Sequence, residues 1–285
     1  MASIGIITDS TSGISRELAE EYGIKVMPLK LIFGDEVYMD GVDLDSEAFL
    51  RKLASSPELP TTSQPSPGEF VEAYKQMAEK YEQLISVHIS SAISGTVESA
   101  RQAAQTLKNM KIEIIDSRVT SISLLLLVER IAREVRAGVS MDAVLGVAKK
   151  VVDQLQLFIT VDTLEYLHKG GRIGAAQNLV GSVLNLKPVL YYKNGIVDAL
   201  EKVRGRNKSL ARMVELASEK LRGARAEVAV AYYADKAAAE EVRDMVAKQL
   251  DCDPTKIMLS LTSAVVAAHA SPGAVGMGFY PEVDC

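Results

Sequence analysis

Cysteine is scarce in this chain: it occurs only at Cys252 and Cys285, which form no metal-binding spacing and no disulfide framework and fit a reducing, cytoplasmic compartment. An excess of positive charge is also missing. With 32 Lys and Arg against 37 Asp and Glu, the net charge is −5, which argues against a nucleic-acid-binding protein and leaves only local basic clusters. Long hydrophobic runs are absent as well. Runs such as Leu124–Val128 are far short of the roughly 20 apolar residues that span a bilayer, so no membrane span is expected. The opening "MASIGIITDS" has neither the charged n-region nor the apolar h-region of a signal peptide, and a cytoplasmic location is expected.

The loops of common enzymes are not there either. The sequence has no G-x-x-x-x-G-K-[ST], no G-x-G-x-x-G and no G-x-S-x-G, which disfavours an ordinary NTPase, a dinucleotide enzyme and an α/β-hydrolase. Histidine occurs three times, at His88, His168 and His269, with no Cys, Asp or Glu at ligand spacing, so neither a metal site nor a cofactor is expected. His88 falls in a strand and is expected on its surface. His269 ends a small-residue segment beside a Ser-Pro-Gly turn, where it either faces a second domain or is satisfied within its own.

What is present is the balance of a globular protein, 48% apolar and 24% charged over 285 residues, enough for one large domain or two ordinary ones. Short β-like runs alternate with helical segments: Ile4–Thr8, a helix near Ser15–Tyr22, Ile24–Phe33, then Leu84–Ile89 and Lys111–Ile115 with helices between them and two more to Leu155. That order indicates βαβ units and a largely parallel sheet. Beyond residue 156 come "LFITV", a capping-box-like Asp162-Thr163-Leu164-Glu165, a helix near Ala175–Leu186, a hairpin at Asn194-Gly195, and helices and strands to "GAVGMGFY". The expected architecture is therefore two α/β domains, 1–156 with a largely parallel sheet and 157–285 with a mixed sheet, and a ligand slot between them.

Hydroxyl groups crowd the predicted strand ends: "TDSTSG" from Thr8, "SSAISGT" from Ser90 and "DSR" from Asp116. In a parallel sheet these ends share one edge, where open α/β folds bind ligands. The stretch "TTSQPSPGEF" adds Thr61, Thr62, Ser63 and Gln64 just before a helix that Ser66, Pro67 and Glu69 open as a capping box. Each hydroxyl taken singly is better explained as a cap of its own helix, and it is the several clusters on one edge that point to a site.

"TDSTSGI", "TTSQPSPGEF", "SSAISGTVESA", "IDSR", "LEYLHKGGRI" and "AAHASPGAVGMGFY", in this order and over nearly the whole chain, resemble the DegV family. The resemblance implies two α/β domains that hold a long-chain fatty acid between them and present it to a separate bacterial fatty acid kinase, which makes the acyl phosphate. It places the carboxylate at Thr62 and Ser94, with His269 nearby, and assigns no catalytic residue to this chain. In "AAHASPG" the sequence departs from the family, which commonly has a glycine where Ser271 stands.

The chemistry accommodates this. Burying a chain of about 16 carbons gains on the order of 10 kcal/mol before ordering and association costs. Neutral hydroxyls, unlike a bidentate arginine, leave one carboxylate oxygen available to attack a phosphoryl group. Ile93, Phe158, Leu164 and Phe279 are candidate walls. Among Lys169, Arg172, Lys202, Arg204, Arg206 and Lys208, the resemblance favours Arg172 and Arg204 as kinase-facing. Two alternatives remain at this point: a serine esterase using Ser94 and His269, and a carrier or sensor of a small anionic metabolite held at Ser94-Gly95-Thr96.

Overall fold

The computed structural model describes residues 3–181 and 186–283. Its N-terminal part alternates as the apolar runs require. Strand β1 (Ile4–Asp9) leads to α1 (Arg16–Tyr22), which Ser15 caps through Leu18 N–H and Gly23 ends in the left-handed conformation. The run Ile24–Phe33, continuous in sequence, divides into β2 (Lys25–Met27) and β3 (Lys30–Phe33), and these two strands join different sheets. After the Gly34-Asp35 turn come β4 (Glu36–Met39), α2 (Ser46–Ser55) and β5 (Thr61–Ser63). Helix α3 (Pro67–Ala78) opens with the expected capping box: Glu69 N–H donates to Ser66 Oγ at 3.3 Å, and Ser66 N–H donates to the Glu69 carboxylate at 2.7 Å.

Then follow β6 (Gln83–His88), α4 (Thr96–Thr106), β7 (Lys111–Asp116), α5 (Ser121–Arg136) and α6 (Met141–Gln154). The C-terminal part contains β8 (Gln156–Thr160), α7 (Glu165–Lys169), β9 (Val189–Lys193), β10 (Ile196–Glu201), α8 (Arg206–Leu221), β11 (Ala226–Tyr232), α9 (Lys236–Leu250), β12 (Met258–Leu261), α10 (Ala264–Ala267) and β13 (Val275–Pro281). Asn194 and Gly195, at φ 52° and 83°, make the β9–β10 turn, the mirror-image geometry that suits a two-residue hairpin. The helix expected near Ala175–Leu186 is a 3-10 segment over Gly174–Leu179 that ends at extended Val180, and positions 182–185 of that expectation lie outside the described residues.

The fold is α/β, with a parallel four-stranded sheet in the order β2-β1-β6-β7, a mixed six-stranded sheet in the order β10-β9-β8-β13-β11-β12, and a small antiparallel sheet β4-β3-β5. Helices α3 and α4 cover one face of the parallel sheet, and α8 and α9 cover one face of the mixed sheet. Helix α5 lies between the two sheets, with 12 of its 16 residues buried. That is why its sequence carries "LLLLV" without polar interruption: a helix buried all round has no solvent face to mark. The small sheet packs Leu31, with Phe49 of α2, against Val161, Leu190, Tyr233 and Val265 from the other half of the chain. No helix among the described residues is long and apolar enough to cross a membrane.

Two expectations are corrected here. His88 is fully buried: its Nδ1 lies 3.0 Å from Asp9 Oδ2 and its Nε2 2.6 Å from Ser86 Oγ, which in turn accepts from Tyr74 Oη at 2.9 Å. Both faces of the parallel sheet are covered, so a polar residue in β6 is buried and must find partners inside. Asp162 does not cap α7. Its carboxylate accepts from Arg206 at 2.8 Å, while Leu164 stands at the cap position without a side-chain bond. A charge-assisted bond to a guanidinium is stronger than a neutral cap contact.

Candidate functional site

A slot with about 950 Å³ of atom-free space, counting its open mouth, lies between the parallel sheet's C-terminal edge and the inner face of the mixed sheet. Of the strand-end hydroxyls singled out in the sequence, Thr11 and Ser94 reach it, whereas Ser117 of "DSR" donates to Val119 O at 3.1 Å and does not line it. Thr11 follows β1, Ile89, Ile93 and Ser94 follow β6, and Thr120 and Ser121 follow β7. Leu157, Ile159, Tyr192, Ala231 and Gly276 supply the opposite wall from the mixed sheet, and Val265, Val266, His269 and Ala270 come from α10 and the turn after it.

Of the four expected wall residues only Ile93 lines this slot. Phe158 and Phe279 pack edge to face, with ring centroids 5.0 Å apart, in the core beneath α8 and α9. Side chains alternate across a strand. Leu157 and Ile159 therefore face the slot while Phe158 faces the helices, and Gly276 faces the slot while Met277 and Phe279 do not. Leu164 packs at the edge of the core under the small sheet.

Thr62, Ser94 and His269 all line the slot. Thr62 is carried by β5, opposite Leu31 of β3, and its Oγ1 lies 2.8 Å from His269 Nε2. Ser94 is held differently. Its Oγ lies 2.9 Å from Thr96 Oγ1 and accepts from Thr96 N–H at 3.4 Å, at the start of α4. Gly95 between them leaves room for Gln64, whose Nε2 would stand 2.7 Å from a Cβ at that position. Thus the opening stretch of β5 and the Ser94 loop are pressed together.

Ser94 and His269 are not hydrogen-bonded to each other, and His269 Nδ1 has no partner, so no acid orients the imidazole as a nucleophile's base requires. The residue types of a hydrolytic triad do occur in line at Asp9, His88 and Ser86, but these side chains are fully buried and do not line the slot. Among the described residues, no group of three or more His, Cys, Asp or Glu is placed to hold a metal ion.

Burial, reinforced by the nearby Arg172 charge, pushes the His269 pKa down to about 4, so the imidazole is neutral near pH 7. Arg172 itself lines the slot, and its guanidinium donates to Gly170 O at 2.8 Å and, through Nε, to Ile93 O at 3.4 Å. Arg204 is not brought to the slot and lies exposed before α8. Arg206 bridges Asp162 and Asp235, each at 2.8 Å, and Lys169 pairs with Glu165 at 2.6 Å. Lys202 and Lys208 are exposed. At the departure from the family pattern, buried Ser271 accepts the N–H of Asp162 at 3.1 Å and of Thr163 at 3.4 Å, tying the Pro-Gly turn to the end of β8.

Sequence reasoning missed Gly170. A Cβ there would overlap His269 Nδ1 and stand 2.9 Å from Cε1 and 3.0 Å from Tyr166 O. The backbone at Gly170 is ordinary right-handed helix, φ −75°, so alanine is excluded by space alone. Gly170→Ala is expected to push the imidazole off Thr62 and weaken a ligand held by both by about 1–3 kcal/mol, the usual cost of overpacking, with the fold intact by circular dichroism. Calorimetry checks this, and unchanged affinity would show that the ring need not sit there.

Comparison with known proteins identifies the family and the fold. Residues 3–282 match the family model described as "Uncharacterised protein, DegV family". A DegV domain-containing protein of Deinococcus radiodurans is 38% identical over 282 residues, covering 98% of this chain and 99% of that protein. A solved DegV family protein from Thermus thermophilus, described for its fatty acid binding, superposes with a TM-score of 0.93 at 32% identity over 99% of this chain and 100% of its own. A stearic acid-binding protein from Eubacterium ventriosum superposes at 0.89 with 26% identity, covering 98% of each chain. This chain belongs to the DegV family.

Proposed function

We propose that this protein binds a long-chain fatty acid in the slot between its two sheets, with the carboxylate at Thr62, Ser94 and His269, and that it acts as a binding protein. The observation that carries the reading is the polarity of the cavity. Aliphatic side chains from the mixed sheet and α10 line much of it, while Thr62, the neutral imidazole of His269 and the positive charge of Arg172 are shared with the adjoining surface pocket and so mark one opening, with Ser94 lining the same slot. The Thr62–His269 pair, whose own hydrogen bond uses one of its two protons, and the Ser94 hydroxyl offer two neutral donors to a carboxylate, and Arg172, two of whose five N–H groups are taken by the Gly170 and Ile93 carbonyls, adds positive charge beside them. The related proteins described as binding fatty acids support the assignment. A small-anion carrier would leave most of the apolar wall without a purpose.

We take residues 1–156 and 157–285 as the two domains that flank the slot, and we infer that a separate fatty acid kinase phosphorylates the bound acid at this mouth. Exposed Arg204 and half-buried Arg172 are then rim charges that orient the partner. Organic extracts of the purified protein should contain a fatty acid at near-stoichiometric yield. Thr62→Val and Ser94→Ala should each weaken its binding by about 1–3 kcal/mol, the cost of one hydrogen bond to a charged group, with folding preserved. Calorimetric affinities unchanged in both variants would remove the carboxylate from this mouth, and a small polar anion in the extract would overturn the fatty-acid reading.

A further inference from the structure

A slot for a plain hydrocarbon chain needs polar groups only where the head group sits. This one has a second set. Thr120, Ser121 and Thr262 also line it, with Ser121 Oγ 3.2 Å from Thr262 Oγ1, and neither pair member bonds to Thr62, Ser94 or His269. Thr262 precedes α10 and His269 follows it. Seven positions, mostly helical, separate the two polar groups by on the order of 10 Å along the cavity wall.

Thr120 is the informative member. It is 4% exposed, its Oγ1 has no hydrogen-bond partner, and it stands at the N-cap of the 16-residue α5 without bonding any N–H of that helix. The first N–H groups of a helix have no partner within it, and the dipole there favours an electron-rich atom. Because α5 is enclosed between the two sheets, bulk water does not serve this end as it would on a surface helix.

We propose that this is a second polar subsite, which takes an oxygen atom carried along the acyl chain, so that hydroxylated or keto fatty acids are ligands of this protein. The proposal rests on the fatty-acid reading above and narrows its ligand class. A methylene chain lying against Thr120 leaves that hydroxyl unpaired. A mid-chain hydroxyl in an otherwise apolar slot is unpaired too, and both deficits are costly in a dry cavity. One hydrogen bond between them removes both, which converts a penalty against oxygenated chains into a preference at one position along the chain.

The test compares stearic acid with a series of monohydroxystearic acids whose hydroxyl is moved along the chain, measured calorimetrically on the wild type, Thr120→Val and Thr120→Ser. At least one isomer is expected to bind the wild type as tightly as stearic acid does. Thr120→Val should weaken that isomer about tenfold, the equivalent of one hydrogen bond, while changing stearic acid less than about threefold, and Thr120→Ser should retain the preference. The subsite is refuted if every isomer binds the wild type more than about tenfold more weakly than stearic acid, or if Thr120→Val ranks the isomers as the wild type does. Should the valine variant not fold, the wild-type ranking and the serine variant decide. A wild type that binds neither stearic acid nor any isomer overturns the acyl-chain reading itself, and this subsite with it.

Discussion

Asp9→Ala is expected to destabilise the protein by about 3–5 kcal/mol, the range for breaking a buried charged network by removing one partner. Asp9 ends β1 with its side chain fully buried. Its Oδ1 accepts Thr11 N–H at 3.1 Å and Thr11 Oγ1 at 2.5 Å, while Oδ2 accepts Ile89 N–H at 2.9 Å and lies 3.0 Å from His88 Nδ1. Two oxygens therefore join the ends of β1 and β6 where the chain turns into the slot. Alanine would strand two backbone N–H groups, a hydroxyl and an imidazole where water does not reach, and each such group costs about 1–3 kcal/mol before relaxation. Urea denaturation monitored by circular dichroism gives the loss directly. Asp9→Asn, which keeps the shape and one acceptor, should fall in between. A loss below about 1 kcal/mol for alanine would mean that the network is replaceable by local rearrangement.

Asp40→Asn is expected to change how stability depends on pH. Asp40 is almost wholly buried after β4. Its Oδ1 accepts Ala264 N–H at 3.1 Å at the start of α10, the turn that leads to His269, and its Oδ2 has no partner. Burial raises its pKa from 3.8 to about 6, against the opposing effect of the neighbouring Ser10 and Ser263 hydroxyls and the Val265 and Ala264 N–H groups. Between these values the folded chain holds a proton that the unfolded chain has released. The stabilising contribution is thus fully present below about pH 4 and is lost as pH rises through about 6, a change of about 3 kcal/mol. His269, whose pKa is lowered to about 4, contributes the opposite slope, present above about 6.5 and lost as pH falls. That term is common to both proteins and cancels in the difference. Unfolding free energies of wild type and Asp40→Asn, measured from pH 4 to pH 7.5, should therefore converge or separate by about 3 kcal/mol, the wild type losing ground as pH rises. Parallel curves would show that Asp40 is solvated or paired in solution.

Local rules read from the chain held wherever the deciding interactions were local. The Ser66–Glu69 capping box, the end of α1 at Gly23, the Asn194-Gly195 hairpin and the parallel β1–β6–β7 order all follow from contacts a few residues apart or from the βαβ succession. The convergence of hydroxyls at one sheet edge followed in part: Thr11 and Ser94 meet in the slot because parallel strands of a βαβ series end on the same side, while Ser117 bonds its own loop. The ordered motifs carried the family.

Other features depended on which surfaces meet. Alternation along "LFIT" and "VGMGFY" divides each strand into two faces, yet only the placement of α8 and α9 decides that Phe158 and Phe279 fill a core while Leu157, Ile159 and Gly276 line the slot. The β-like run from Ile24 to Phe33 reads as one segment, and its division between two sheets is set by partners distant in sequence. His88 is polar in a strand, and its burial follows from helices covering both faces of the sheet. The close approach of Gly170 to His269, the contact of Thr62 with that same ring, and the unpaired hydroxyl of Thr120 each join residues far apart in the chain or facing an enclosed space. Most elements, their order and the chemical groups available to a ligand are legible in the chain. Which strands a run divides into and which groups share a cavity follow from packing, because local propensity acts over a few residues while burial is a property of the packed whole.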